Sequence, residues 1–452
     1  MIFLPSHPRV HQPQEESAIN MATPSMKNSS AGSKVPRKKV LGDDYPSSPD
    51  PVQETQIDSP RRKKVKINDD TDNLNLGQSS DDDDDDDDDE TTQNGETITD
   101  GDDTSISSDT MVTSIIEVDT SPTLVMRECK SHPAPSPRWG HSSTLIDSDR
   151  LFIYGGQSET GTLQDLFVYS MATNKWSKPV NCEGLPRQWH TATYLPERQL
   201  LISFGGEAPN KKGKISTTDQ VMVLDTELML WYPPSVSGQI PSGRSGHTAN
   251  LLPNTNDLLI FGGVKGRKWT NSVALLDISR WKWSVLKIVG DGPRPRSYHS
   301  ATPILKSSHK CWLVIFGGND SVKSYNTVHV LETNNNIWTW IHPMCSGDLP
   351  PPRTGHCATL LDDQSTIMIY GGWDPNTDDE DIEDIILKDV YLLDTTTWTW
   401  TKVKNDVGSR RVGHTSLLSG SDVLVFGGRT PGGFTNEFLT LEGPKAENEL
   451  SA

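Results

Sequence analysis

Residues 244–283 read RSGHTANLLPNTNDLLIFGGVKGRKWTNSVALLDISRWKW. Arg244 stands three positions before His247, an apolar run ends in Phe261-Gly262-Gly263, a second apolar run covers Val273–Leu276, and Trp281 and Trp283 close the segment. Runs of four to six residues rich in Leu, Ile, Val and Phe and bounded by Gly, Asn and Pro read as short buried strands; they are too short for helices. The paired glycines stop a strand where the chain must turn and let neighbouring backbones come close. The tryptophans supply large apolar bodies that need a second surface to pack against.

The same pattern recurs along the chain. The Arg/His pairs are Arg138/His141, Arg187/His190, Arg244/His247, Arg296/His299, Arg353/His356 and Arg411/His414. Strand-plus-diglycine runs end at Gly156, Gly206, Gly263, Gly318, Gly372 and Gly428, and Trp176, Trp231, Trp283, Trp340 and Trp400 close the first five copies. A unit of about 50 residues carrying four short strands is one propeller blade. A single such sheet cannot bury both faces, so its neighbours stack around an axis. The six copies resemble the kelch family over about 330 residues. The resemblance implies an all-β, six-bladed β-propeller over residues 121–445, with residues 446–452 as a disordered end.

The sixth copy lacks its Trp and fourth strand: after Gly428, Asn436–Leu441 supplies only a third. Residues 123–129 (TLVMREC) stand before Arg138 as residues 283–288 stand before Arg296, so this N-terminal strand is predicted to close the last blade and remove an exposed edge.

Six repeated histidines suggest a ring of metal ligands. A metal, however, needs three or four side chains converging on one point. One His per blade beside an Arg reads as a structural hydrogen-bonding element. Copper oxidases of the galactose-oxidase type and iron-dependent kelch specifier proteins share the resemblance, but their ligand sets are not visible here. P-loop, dinucleotide-binding, HExxH and nucleophile-elbow motifs are also missing. The expectation is therefore a non-enzymatic protein-binding adaptor or scaffold without cofactor or metal. A ubiquitin-ligase substrate receptor and a metal-dependent kelch-type enzyme stand as alternatives.

The resemblance places the loops between second and third strands on one face, where kelch-like modules grip peptides. Those of the second and third blades carry Lys211, Lys212, Lys214, Lys265, Arg267, Lys268 and Trp269; that of the fifth carries Trp373, Asp378 and Asp379 among other acids. Cations beside an aromatic suit an acidic peptide, so these residues are the candidate partner-binding set. Surface charge that merely solvates loops is the competing reading. Trp139, Trp189 and Tyr298 follow repeat arginines and reach either the channel mouth or the interior.

Residues 1–120 differ in kind. The chain carries 42 Lys and Arg against 61 Asp and Glu, a net charge of −19, and residues 1–122 hold 11 of the former and 27 of the latter. Rich in Pro, Ser, Asp and Asn, this tail cannot bury enough apolar surface to offset ordering entropy and reads as disordered. Arg61, Arg62, Lys63, Lys64 and Lys66 form a basic cluster suited to nuclear-import receptors. Asp81–Glu90 is a lure for a basic partner, a cover for the propeller's own basic face, or a solvating run. Ser59 precedes Pro60-Arg61 as in proline-directed kinase targets, and Ser79 and Ser80 precede the acidic run as casein-kinase-two-like acceptors; phosphate on Ser59 would weaken the adjacent basic cluster. Five scattered cysteines without C-x-x-C spacing favour a reducing compartment. No strong nucleic-acid signal, secretory signal or membrane span is read, and the expected location is nucleus, cytoplasm or both.

Overall fold

The computed structural model describes residues 125–128, 134–375, 385–404 and 408–442. They form six four- or five-stranded sheets, one per repeat, whose four principal strands are antiparallel and whose strand after each His is innermost, together with four two-stranded hairpins. In the first blade the strands run Ser142–Leu145, Arg150–Tyr154, Leu166–Ser170 and Lys175–Ser177. The third blade repeats this as Thr248–Leu251, Asp257–Phe261, Val273–Asp277 and Lys282–Val285. Second strands are mostly apolar because they lie between two blades; after Asp257, Leu258, Leu259, Ile260 and Phe261 are all fully buried.

The sixth blade draws its outermost strand from the other end of the chain. Val125–Glu128 pairs antiparallel with Phe438–Glu442, from Val125 opposite Glu442 to Glu128 opposite Leu439. Asn436 then donates its side-chain amide to the Pro135 carbonyl at 2.8 Å, and the Arg138 N–H reaches Thr435 O at 3.1 Å.

Each outer tryptophan packs against the aromatic residue ending the preceding blade's second strand. The pairs are Trp176 on Phe426, Trp231 on Tyr154, Trp283 on Phe204, Trp340 on Phe261 and Trp400 on Phe316, with ring centroids 4.7–5.5 Å apart. Burying one such side chain is worth about 1.5–3 kcal/mol, so this contact, made five times, is a main inter-blade adhesive.

In three blades the edge is covered in a way the sequence pattern does not show. Ser237–Gly238, Ile288–Val289 and Ser346–Gly347 each add a short parallel strand outside the next blade's fourth strand.

A second ring closes around the axis. The residue before each repeat His (Gly140, Trp189, Gly246, Tyr298, Gly355, Gly413) has a left-handed backbone, with φ between 54° and 66°. Each of their N–H groups donates to the carbonyl of the equivalent residue one blade back, at 2.7–3.1 Å, and Gly140 completes the circle onto Gly413. Four of the six are glycine partly because the other two side chains lie across the axis. A Cβ on Gly246 would come 2.8 Å from the Tyr298 ring, and one on Gly413 would come 2.7 Å from Trp189.

Candidate partner-binding face

One face carries the hairpins that link second to third strands. The residue after each repeat Arg (Trp139, Gln188, Ser245, Ser297, Thr354, Val412) pairs with the first residue of its blade's hairpin: Gln157, Glu207, Val264, Asn319, Trp373 and Arg429. These twelve residues build the rim of the channel mouth, and the rim has two halves. Over the second to fourth blades it is polar apart from Val264. Gln188 Nε2 and Ser245 Oγ both donate to the Glu207 carboxylate at 3.1 Å. Nearby, Trp269 Nε1 donates to Ser297 Oγ at 3.0 Å and Thr354 Oγ1 to Asn319 Oδ1 at 3.2 Å. Over the remaining blades Gln157, Thr354 and Arg429 alternate with an apolar cluster, in which Trp139, Trp373, Ile386 and Val412 are buried together and Trp189, Ile385 and Phe434 pack against them.

The candidate residues fall unequally on this face. Lys211, Lys212, Lys214, Lys265, Arg267 and Lys268 are exposed, in the hairpins Glu207–Pro209/Ile215–Thr217 and Val264–Lys265/Lys268–Trp269 of adjacent blades. Trp269 is half-buried between this charge and the rim. Trp373, read from sequence as a contact residue, is only 3% exposed, because it pairs with Ile386 and is buried with Ile386, Val412 and Trp139. Asp378 and Asp379 lie outside the described residues, as do the basic cluster, the acidic run, Ser59, Ser79 and Ser80. Trp139 and Tyr298 reach the channel and are buried there, while Trp189 is half-buried; left-handed backbone turns the last two inward.

The six histidines are buried, and each stacks edge-on against the aromatic of the preceding blade, as His141 does on Phe426 at 5.2 Å and His247 on Phe204 at 5.2 Å. Five bond through Nε2 to the hydroxyl one place after the preceding blade's His: His141 to Thr415, His190 to Ser142, His247 to Thr191, His299 to Thr248 and His356 to Ser300, at 2.9–3.2 Å. Burial, reinforced by the repeat Arg, holds His141, His247 and His356 down to about 3 and the other three well below the ordinary value. They are neutral inter-blade struts. Among the described residues no group of three or more His, Cys, Asp or Glu is placed to hold a metal.

The sixth strut is broken. The hydroxyl position facing His414 is occupied by Cys357, and among the described residues His414 Nε2 has no hydrogen-bond partner. Burial pushes the Cys357 thiol up to about 12, so it remains a neutral, weak donor, and it donates to the Tyr370 carbonyl at 3.7 Å. Cys357→Ser supplies the missing hydroxyl and is expected to raise stability by about 0.5–1.5 kcal/mol, read as a higher melting temperature. A lower one would show that the thiol's packing matters more than the absent bond.

With the six-fold geometry established, comparison with known proteins gives its family. The sequence profile of the KLHDC2/KLHL20/DRC7 Kelch-repeats domain matches residues 180–344 and 312–447, more than half of the chain. The chain belongs to the kelch-repeat β-propeller family. Its kelch region is similar to Drosophila melanogaster host cell factor, 29% identical over 326 residues covering 66% of this chain and 21% of that protein. Human host cell factor 1 is 30% identical over 57% of this chain and 13% of its own length. Acyl-CoA-binding domain-containing protein 4 of Arabidopsis thaliana is 26% identical over 89% of this chain and 58% of its own. The chain thus spans under two thirds of these relatives. The solved structure of YjhT shares the fold at 18% identity and a TM-score of 0.52, covering 68% of this chain and 95% of that one.

Proposed function

We propose that this kelch propeller is a non-enzymatic protein-interaction module, an adaptor or scaffold, and that its hairpin face over the second and third blades receives an acidic segment of a partner polypeptide. The observation that carries this reading is the group of exposed cations, Lys211, Lys212, Lys214, Lys265, Arg267 and Lys268, gathered on two adjacent hairpins beside the half-buried Trp269. Exposed cations steer acidic partners and set which ones are excluded, while a partly buried aromatic gives them a surface to anchor on. Among the described residues no helix is long and apolar enough to cross a membrane. The basic cluster Arg61–Lys66 supports a nuclear or nucleocytoplasmic setting, and the Asp81–Glu90 run supports a competitor for the same face.

The test is affinity purification with mass spectrometry on the full chain and on a Lys211→Glu/Lys212→Glu/Lys265→Glu/Arg267→Glu variant. Partners with acidic segments should be depleted from the variant. Their isolated segments should bind it about 10–100-fold more weakly, with reduced salt dependence, from four rim charges each worth up to about 1 kcal/mol. An unchanged partner set would remove this face from consideration.

A further inference from the structure

The repeat arginines are equally buried in all six blades but not equally neutralised. In the first, fifth and sixth blades an acid stands immediately before the third strand. Asp165 meets Arg138 at 2.7 Å, Asp389 meets Arg353 at 2.8 Å and Glu437 meets Arg411 at 2.6 Å. The same position holds Gln220, Ser272 and Thr327 in the second, third and fourth blades, and all three residues are exposed. The fourth blade compensates indirectly. The Tyr325 ring lies 4.3 Å over the Arg296 guanidinium, and its hydroxyl donates to Asp320 at 2.5 Å.

The third blade has no such substitute, and in the second only the uncharged Tyr154 hydroxyl, itself donating to Leu185 O, stands beside Arg187. Arg187 Nη1 is shared among Ser203 Oγ, Gly205 O and Gln220 O at 3.2–3.5 Å, and its Nε is buried without an acceptor. Arg244 donates Nε to Ser242 O, and Nη1 to Gly262 O and Ser272 Oγ. Its Nη2 makes no hydrogen bond among the described residues, whereas in Arg138 and Arg353 that atom reaches the second carboxylate oxygen at 3.2 Å. Glu207 is committed to Gln188 and Ser245, and the exposed Asp219 makes no ion pair with either arginine.

We propose that the second and third blades carry two carboxylate subsites, opening over Gln220 and Ser272, in which acidic side chains of a bound polypeptide take the place that Asp165 and Asp389 hold elsewhere in the ring. This rests on the reading of the hairpin face given above and adds to it where the ligand's acids go. A buried guanidinium without a counter-charge is costly to keep. A carboxylate arriving from solvent would meet a fixed fork of N–H donors, the geometry that makes Arg–carboxylate bonds strong and directional. Desolvation lowers both arginines from their ordinary value, Arg244 to about 10 with no opposing group and Arg187 against partial relief from the Tyr154 hydroxyl. The Lys265–Lys268 hairpin leads through Thr270 directly to Ser272, so exposed cations and buried guanidinium belong to one sector.

The test fills one subsite from within. Ser272→Asp and Ser272→Asn are made in the full chain, and each is measured for melting temperature and for binding of a fluorescent octaglutamate peptide. Ser272→Asp should raise the melting temperature by about 2–4 °C. It should also weaken octaglutamate binding about tenfold, an effect that persists in 0.5 M salt because the pair is buried. Ser272→Asn should do neither. If Ser272→Asp stabilises without weakening binding, or fails to stabilise, the subsite does not exist. Loss of binding in Lys265→Glu/Arg267→Glu alone would leave the reading of the face standing and overturn the subsites. Failure of octaglutamate to bind the unaltered chain would overturn both.

Discussion

Lowering the pH from 7 to 5 is expected to take this propeller most of the way to unfolding. Each buried repeat His is held neutral in the folded state, with His141, His247 and His356 at about 3 and His190, His299 and His414 also well below 6.5. In the unfolded chain the same imidazoles take up a proton near 6.5. Below that pH the unfolded state binds more protons than the folded state, so stability falls as pH falls, and it continues to fall until about pH 3. Each His costs about 1.4 kcal/mol per pH unit over this range. The three with values near 3 alone give a slope of about 4 kcal/mol per unit, against a total stability of about 5–15 kcal/mol for a typical domain. Tryptophan fluorescence and circular dichroism between pH 7 and pH 4 should therefore show a steep cooperative loss centred near pH 5. Replacing His356 with Gln should make that loss shallower. A melting temperature unchanged from pH 7 to pH 5 would show that the histidines accept protons inside the ring, and the strut description would fail.

The strength of this acid response follows from repetition, which also made much of the fold legible. One Arg-x-x-His segment says little, but six of them spaced alike reveal the blade, its strands and its Trp, because each local choice is made six times under the same packing constraint. Departures from the repeat were harder to see. The left-handed ring around the axis had a visible signal, glycine before His at Gly140, Gly246, Gly355 and Gly413, but its meaning depends on six N–H groups meeting across blades. The acids that neutralise the repeat arginines stand 26 to 36 residues further on in chain order, as Asp165 does for Arg138 and Asp389 for Arg353. Hairpins of different length separate them, so no fixed spacing marks the pair. The candidate face was read from loop charge together with the tryptophans Trp269 and Trp373. It overvalued Trp373, because nothing in the sequence beside it indicates that the ring is buried with Ile386 and Val412.

The single strand contributed by the N-terminal segment should have an effect out of proportion to its length. A chain beginning at Ser136 loses the ladder from Val125 to Glu128 and the amide contact of Asn436 with Pro135. Four residues of ladder are worth about 2–6 kcal/mol at typical net hydrogen-bond values. The contacts that remain between last and first blades, among them Phe426 and Phe438 on Trp176, His141 on Thr415 and the Arg138 N–H on Thr435 O, would no longer be tied by a strand crossing from one chain end to the other. The loss also opens an edge along Phe438–Glu442, whose Phe438, Leu439 and Leu441 are buried in the closed ring, and an open apolar edge pairs with other chains. Deletion to Ser136 is thus expected to lower the melting temperature by about 5–10 °C or more and to produce concentration-dependent aggregation. Deletion of residues 1–115, which keeps the strand, should leave the melting temperature near that of the full chain. The two deletions differ by only twenty residues, so a difference between them isolates the strand. Scanning fluorimetry and size-exclusion chromatography on both would decide the matter, and equal melting temperatures would mean that the ring holds without its closing strand.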